Sequence, residues 1–186
     1  LGAGKATRPD WAGPYSFEDS FYEPFVLFSY LAACTSSIEL ATGVVILPQR
    51  QTALVAKQAA TLDLLSGGRL RLGIGTGWNE VEYQGLREVF NNRGIRSEEQ
   101  IEVMRALWSS ELVNFEGRWH SINDAGINPL PVQRPIPVWI GGNNERVFQR
   151  IGQVADGWIS TNFPRPDDDA RRIIDRIHGY ARDAGR

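Results

Sequence analysis

Apolar positions along this chain alternate between two rhythms, one of helical period and one nearly continuous. "PFVLFSYLAACTS" carries Phe25, Phe28 and Leu31 at helical spacing, with Pro24 suited to a first turn, and predicts a helix from Pro24 to Thr35. "IELATGVVIL" is short, aliphatic and β-branched, which predicts a strand covered on both faces and ended by Pro48. "TALVAKQAATLDLLSGG" sets Leu54, Val55, Ala59, Leu62 and Leu65 on one side and predicts a helix stopping at Gly67 in a left-handed cap. The strand "RLRLGIGTG" follows. In "SEEQIEVMRALW", Ser97 and Gln100 have capping-box spacing ahead of the stripe Ile101, Met104 and Leu107 or Trp108, which predicts a helix starting there.

The rhythm then breaks. Residues 112–136 read as a loop insertion, with a short hairpin at "FEGRWHSI" and a Pro-containing loop at "NPLPVQRP". It returns with the strand "IPVWIGG", the helix "NERVFQRIGQVA" with Val147, Phe148, Ile151 and Val154 on one side, and the strand "GWIST". A polar helix starts near Asp167, Asp168 and Asp169, whose carboxylates suit a helix N-terminus. Residues 1–23 show no period and read as irregular. Strands alternating with helices imply an α/β protein with parallel strands and right-handed crossovers. A closed (β/α)8 barrel takes about 250 residues, so 186 residues supply only part of one, and on length alone an open doubly wound sheet fits more comfortably.

Composition narrows the partners. At 42% apolar and 23% charged residues, with a formal net charge of -2, the chain is an ordinary globular one and gives no electrostatic case for nucleic acid or an anionic membrane. Small neutral or mildly polar partners, such as a small-molecule substrate, remain open. The lone Cys34, set among apolar residues, excludes a disulfide framework and a cysteine zinc site and agrees with a cytoplasmic location. No apolar run reaches the roughly 20 residues of a membrane span, and the start lacks the regions of a signal peptide. It also lacks an initiator Met, which predicts a chain beginning partway through a longer protein.

The candidate chemistry lies at strand ends. In "RLRLGIGTGWNEVEY", Leu70, Leu72, Ile74 and Thr76 share one face, and Arg71, Gly73, Gly75 and Gly77 share the other. The third glycine of a dinucleotide fingerprint is missing, because Trp78 stands there. The glycine face is hollow. It marks either the close approach of a ligand or another backbone, or a barrel interior filled from other strands. "WIGGNNER" places Gly141, Gly142, Asn143 and Asn144 where a helix begins, which suits a phosphate cradle or, equally, a plain N-cap at Asn143 or Asn144. Glu80 and Glu82 follow the glycine strand. Glu80 reads either as an acid, base or substrate ligand or as a helix N-terminal charge, and the latter suits Glu82 better. His120 and His178 fall in no metal motif and read as solvated or packing residues, and no metal site is expected.

Taken in order, "CTSSIELATGVVILPQRQTALVAKQAATLDLLSGGRLRLGIGTGWNEVEY", "RGIRSEEQIEVMRALW", "PVQRPIPVWIGGNN" and "ADGWIST" resemble the luciferase-like monooxygenase superfamily, and within it the branch using the deazaflavin coenzyme F420. The resemblance covers most of the span from Phe25 to Thr161 and changes the expected fold to a (β/α)8 barrel of TIM type, here partial. It implies that the strands at Ile38, "RLRLGIG", "PVWIGG" and "GWIST" are the third to sixth of eight, in one domain over residues 1–186 that is incomplete at both ends. It implies a bulge with a non-proline cis peptide at Gly43–Val44 under the cofactor ring, with Thr42, Gly43, Val44, Gly75, Gly77 and Asn79 beside the ring. It likewise gives Gly141, Gly142 and Asn143 the cofactor phosphate and leaves Glu80 as the proton donor or substrate contact. The implied activity is hydride transfer between F420 and an organic substrate. Two alternatives stand beside it: a monooxygenase using FMN and oxygen, and a non-catalytic half-barrel that needs a partner chain. Members of the family commonly form homodimers.

Overall fold

In the computed structural model, residues 15–160 and 168–186 are described. The first fourteen residues of the irregular segment, Thr161 at the end of "GWIST" and Asp167 of the acidic cluster lie outside them. The elements are α1 (Pro24–Cys34), β1 (Leu40–Ala41), β2 (Val45–Ile46), a 3-10 turn (Leu47–Gln49), α2 (Thr52–Ser66), β3 (Leu70–Gly75), α3 (Glu80–Leu86) and α4 (Arg93–Ser109). They continue with β4 (Val113–Glu116), β5 (Ser121–Ala125), β6 (Val138–Gly141), α5 (Glu145–Val154), β7 (Gly157–Ile159) and α6 (Asp168–Asp183).

The sheet is parallel, and β3 is its hub. On one side β3 pairs with β1, Leu40 opposite Leu70, and with β2, Val45 opposite Ile74. On the other side it pairs with β6, Leu72 opposite Val138, and β6 pairs with β7, Ile140 opposite Trp158. The single strand expected from Ile38 is therefore two short pieces sharing one strand position, interrupted at residues 42–44. Four strand positions in this order form an open, partial barrel with flanking helices, as the resemblance implies, in place of a doubly wound sheet. Leu70, Leu72 and Ile74 of β3 share one buried apolar cluster with Val138 and Ile140 of β6, with Val55, Ala59 and Leu62 of α2, with Ile101 and Met104 of α4, and with Phe148 and Ile151 of α5.

Helix ends follow local chemistry. Glu23 caps α1 by accepting the Val26 N–H, and Pro24 occupies the first turn. At its other end the Arg69 guanidinium donates to the Ala32 and Thr35 carbonyls and to the Ile38 carbonyl beyond them, so the residue before β3 closes α1. Gly67 stops α2 at φ 67°, as expected, and the Gly68 N–H returns to the Asp63 carbonyl at 2.8 Å. The face expected of α2 is only partly right. Leu54 and Leu65 are 52% and 62% exposed, while Ala56 and Ala60 are buried, because small residues bring α2 close enough for the Trp108 indole N–H to reach the Ala56 carbonyl at 3.0 Å.

Two further expectations are corrected. The helix expected to start at Ser97 starts at Arg93, so Ser97 and Gln100 form no capping box. Ser97 Oγ instead donates to the Gly94 carbonyl, and the buried Gln100 donates through Nε2 to the carbonyls of Leu47 and Arg50 and to Thr52 Oγ1. Those acceptors lie where β2 turns into α2, and an inward amide satisfies them at less cost than burying them bare. The second correction is α3, a helix the apolar pattern did not predict.

The hairpin β4–β5 is antiparallel, and its tip is fastened to α4. Glu99 accepts the backbone N–H groups of Arg118 and Trp119 and a hydrogen bond from His120 Nδ1, all at 2.8 Å. His120 Nε2 lies 2.6 Å from Thr52 Oγ1. His120 is therefore neither a solvated nor a merely packing residue; both ring nitrogens are engaged. Burial works to raise the Glu99 carboxyl, but the hydrogen bonds from His120, Trp119 and Arg118 outweigh it and hold the carboxyl below its ordinary range. The loop before β6 contains cis bonds at Asn128–Pro129 and Arg134–Pro135. It is tied down where Gln133 donates through its backbone N–H and Nε2 to the fully buried Asp63 carboxylate. Among the described residues, no helix is long and apolar enough to cross a membrane. Cys34 is exposed at the end of α1, away from the apolar setting its neighbours suggest.

Candidate functional site

The inner face of the sheet is built around what its glycines admit. A Cβ on Gly73 would stand 1.8 Å from the Thr42 carbonyl oxygen and 2.5 Å from Ile159 Cδ1. Thr42 is buried, and its hydroxyl donates to the Gly73 carbonyl at 2.6 Å. The chain between β1 and β2 thus bulges onto β3, and only glycine lets it do so. The bulge carries the cis peptide expected at Gly43–Val44. Val44 straddles two strands: its Cγ2 lies 2.7 Å from where a Cβ on Gly75 would be, and its Cγ1 2.9 Å from the equivalent point on Gly141. Gly157 of β7 lies against the Trp139 ring, where a Cβ would approach within 2.6 Å.

The glycine face is therefore not an empty recess. The protein's own bulge, Ile159 and Trp139 fill it. The open side is at Gly43, which is exposed and where a Cβ would meet nothing within 4 Å. The exposed side of the bulge thus lies opposite its seat on Gly73, Gly75 and Gly141.

Above the C-terminal end of β3 the chain turns at Gly77, whose φ of 70° favours glycine and whose missing Cβ leaves room for Ile46 Cγ2 at 2.8 Å. Trp78 is half exposed, with the Tyr15 ring 6.4 Å away. The buried Asn79 caps α3 by accepting the Val81 N–H at 3.1 Å. Glu80 is the first residue of α3 and is exposed; Glu82, in the same turn, accepts from Gln49 Nε2 at 2.8 Å. The buried Tyr83 donates its hydroxyl to the Thr76 carbonyl at 2.6 Å. Burial is the main reason its phenol is pushed up to about 12, against a smaller opposing pull from Arg93 and Arg96. Arg93 Nε also donates to the Gly77 carbonyl at 3.1 Å, so the turn is held from α3 and from α4.

One strand along, β6 ends in the turn Gly141–Gly142–Asn143–Asn144. Gly142 has φ 138°, and a Cβ there would press on the Val147 methyls at 3.2 Å. Asn144 is the N-cap of α5, accepting the Val147 N–H at 3.1 Å, so of the two cap candidates it is Asn144 that serves; Asn143 is exposed in the turn. Glu145, an acidic residue at this helix start, has its carboxylate bound by Arg176 and Tyr180 of α6. The turn keeps a helix N-terminus whose adjacent negative charge is neutralised, a donor set suited to a phosphate.

Of the residues expected at the site, Thr42, Val44, Gly75 and Gly141 meet at the bulge. Gly77, Asn79 and Glu80 follow β3, and Gly142 and Asn143 follow β6. Sequence reasoning missed Ile46, Trp139, Trp158 and Ile159. The one signal for Ile46, Trp139 and Ile159 was position on neighbouring strands, opposite the glycines; Trp158, opposite Ile140, had not even that. Among the described residues, no group of three or more His, Cys, Asp or Glu is placed to hold a metal ion.

A family model described as luciferase-like monooxygenase matches residues 2–186. An uncharacterised protein of Mycobacterium tuberculosis is 35% identical over 179 residues, covering 96% of this chain and 60% of that protein. Among solved structures, the coenzyme F420 dependent tetrahydromethanopterin reductase of Methanopyrus kandleri superposes with a TM-score of 0.75 at 24% identity, over 89% of this chain and 51% of that one. A riboflavin lyase, solved with modified FMN and riboflavin, superposes with a TM-score of 0.80 at 21% identity, over 90% and 42%. The chain thus spans between two fifths and three fifths of the length of these proteins.

Proposed function

The chain belongs to the luciferase-like monooxygenase family, and from that premise we propose that it is part of an oxidoreductase that binds coenzyme F420 and passes hydride between the cofactor ring and a small organic substrate. The observation that carries the reading is the bulge at residues 42–44, seated on Gly73, Gly75 and Gly141 with its Gly43 side open. A backbone surface held from below by three glycines is a rigid platform for a planar ring. The deazaflavin, when bound, supplies the ring carbon that accepts or gives hydride. The chain's own residues do the rest. The bulge, with Thr42 anchored to Gly73, would be the seat of the ring. The Gly141–Gly142–Asn143 turn holds the phosphate through backbone N–H groups and the start of α5. Gly77 and Asn79 shape the rim, and Glu80, exposed at that rim, holds or delivers a proton through its carboxyl oxygens. The solved tetrahydromethanopterin reductase, whose name carries F420, supports this choice of cofactor.

A second reading keeps every residue in place and exchanges the cofactor for FMN, with oxygen as co-substrate. The monooxygenase description of the family and the modified FMN of the riboflavin lyase favour it. Reconstituting the full-length protein with F420 and with FMN, removing free cofactor and recording the bound absorbance separates the two. Retention of F420 is expected. Retention of FMN alone overturns the first reading in favour of the second, and retention of neither overturns both.

A further inference from the structure

Trp158 lies on β7 opposite Ile140 and points into the helix layer, where its ring meets the Phe148 ring edge to face at 5.5 Å and 85°. Its indole Nε1–H donates to the Gly142 carbonyl at 2.8 Å. The neighbouring ladder contact, from the Gly142 N–H to the Ile159 carbonyl, is long at 3.5 Å, so the indole makes the shorter of these two bonds between β7 and the turn. Gly142 itself, at φ 138°, is in a region where glycine imposes little preference of its own.

A trans peptide is planar, with its C=O and N–H pointing in opposite directions. Fixing the direction of the Gly142 carbonyl therefore fixes the direction of the Asn143 N–H. The indole pulls the carbonyl toward the helix layer, which aims the Asn143 N–H to the opposite side of the turn. The Phe148 ring, itself on α5, keeps the indole from rotating away. We propose that Trp158 is a positioning residue for anion binding: it orients the Gly142–Asn143 peptide so that the turn presents its N–H to a cofactor phosphate, without touching that phosphate itself. This rests on the reading of the Gly141–Gly142–Asn143 turn as the phosphate site.

The test uses the full-length protein and two ligand pairs that differ by the phosphate-bearing arm: FMN against riboflavin, and F420 against its phosphate-free deazaflavin chromophore. Dissociation constants come from fluorescence or absorbance titration, for whichever pair the wild type binds. Trp158→Phe keeps an aromatic ring against Phe148 and removes the donor together with part of the ring volume. We expect it to weaken the phosphate-bearing ligand about 5- to 10-fold, a typical effect of losing one neutral hydrogen bond, and to leave the phosphate-free ligand within twofold. Loss of affinity for both ligands alike, or for neither, overturns the positioning role. A wild type that binds both members of a pair equally overturns the phosphate reading of the turn, and the positioning role with it, before any variant is made. If Trp158→Phe does not fold, indole ¹⁵N–¹H spectra of the wild type decide. The Trp158 resonance is expected to shift with the phosphate-bearing ligand more than with its phosphate-free counterpart, and equal shifts overturn the proposal.

Discussion

The carbonyl oxygen of Thr42 occupies the place a side chain on Gly73 would need, 1.8 Å from the position of its Cβ, while the Thr42 hydroxyl donates to the Gly73 carbonyl at 2.6 Å. Backbone meets backbone here, so neither partner can yield by turning a side chain. Gly73→Ala is expected to destabilise the protein by about 3 kcal/mol or more, the upper end of overpacking costs. Thr42→Val, which keeps the shape and removes one hydrogen bond, is expected to cost about 1 kcal/mol. Urea unfolding midpoints of the two variants check both; equal, small effects would mean that the bulge does not bear on Gly73.

Val44 meets both Gly75 and Gly141, and here the obstructing atoms are methyl groups. Gly75→Ala alone is expected to cost about 1–3 kcal/mol. In a Val44→Ala background the clash is gone, and the same substitution is expected to cost well under half as much. A double-mutant cycle on unfolding free energies measures the coupling, expected at about 1 kcal/mol or more for residues in contact; additivity would refute the packing.

Glu99 gives the hairpin an acid-sensitive fastening. Its carboxyl is lower in the folded protein than in the unfolded chain, so below the ordinary carboxylate range the unfolded chain takes up a proton more readily than the folded one. The stabilisation is full above that range and is lost as pH falls through the lowered folded value. Glu99→Gln is expected to cost about 1.5–3 kcal/mol at pH 7, with the gap to wild type shrinking toward pH 3. Unfolding curves at the two pH values decide the matter.

Tyr83 works at the opposite end of the scale. With its folded phenol near 12 against an ordinary 10.0, the folded protein keeps a proton that the unfolded chain releases. Stability from this group is intact below pH 10 and falls as pH rises from 10 toward 12, by about 2–3 kcal/mol in total. Tyr83→Phe is expected to flatten that alkaline decline while lowering stability at neutral pH by roughly 1 kcal/mol through the lost bond to Thr76. Thermal midpoints at pH 8, 10 and 11 for both proteins test it.

What the chain declares in its sequence is whatever repeats. The stripe Val147, Phe148 and Ile151 and the set Leu70, Leu72 and Ile74 are periodic, and these residues are buried; the cap at Gly67 is legible from its own local chemistry. What it withholds depends on a second element. The break at residues 42–44 lies inside "IELATGVVIL", where only the family resemblance implied it; of the glycines that admit it, two come some thirty positions later and Gly141 nearly a hundred, so the residues of one segment do not announce the other. Gln100 showed only capping-box spacing with Ser97, and Glu99 showed no signal at all; their acceptors and donors sit on the turn at Leu47–Arg50 and the hairpin tip, which the helix's own sequence does not name. Seven residues with a glycine among them are too few for α3 to show a period. The candidate site itself was legible as glycine positions, but its fillers Ile46, Trp139 and Ile159 were ordinary strand residues until the pairing was known.

Arg69 and Asp63 both serve the lower end of the sheet. Arg69 closes α1 just before β3 begins, and Asp63 holds Gln133, whose amide also reaches the Leu70 carbonyl. Every contact of this kind gathers where β3 enters, while the bulge, the rim at Gly77 and the Gly142 turn gather where the strands leave. The two ends answer to different demands, and a strand's length of packed aliphatic residues insulates one from the other. A lineage can rework the exit loops without loosening the stitching at the entrance, and can restitch the entrance without disturbing the exit loops.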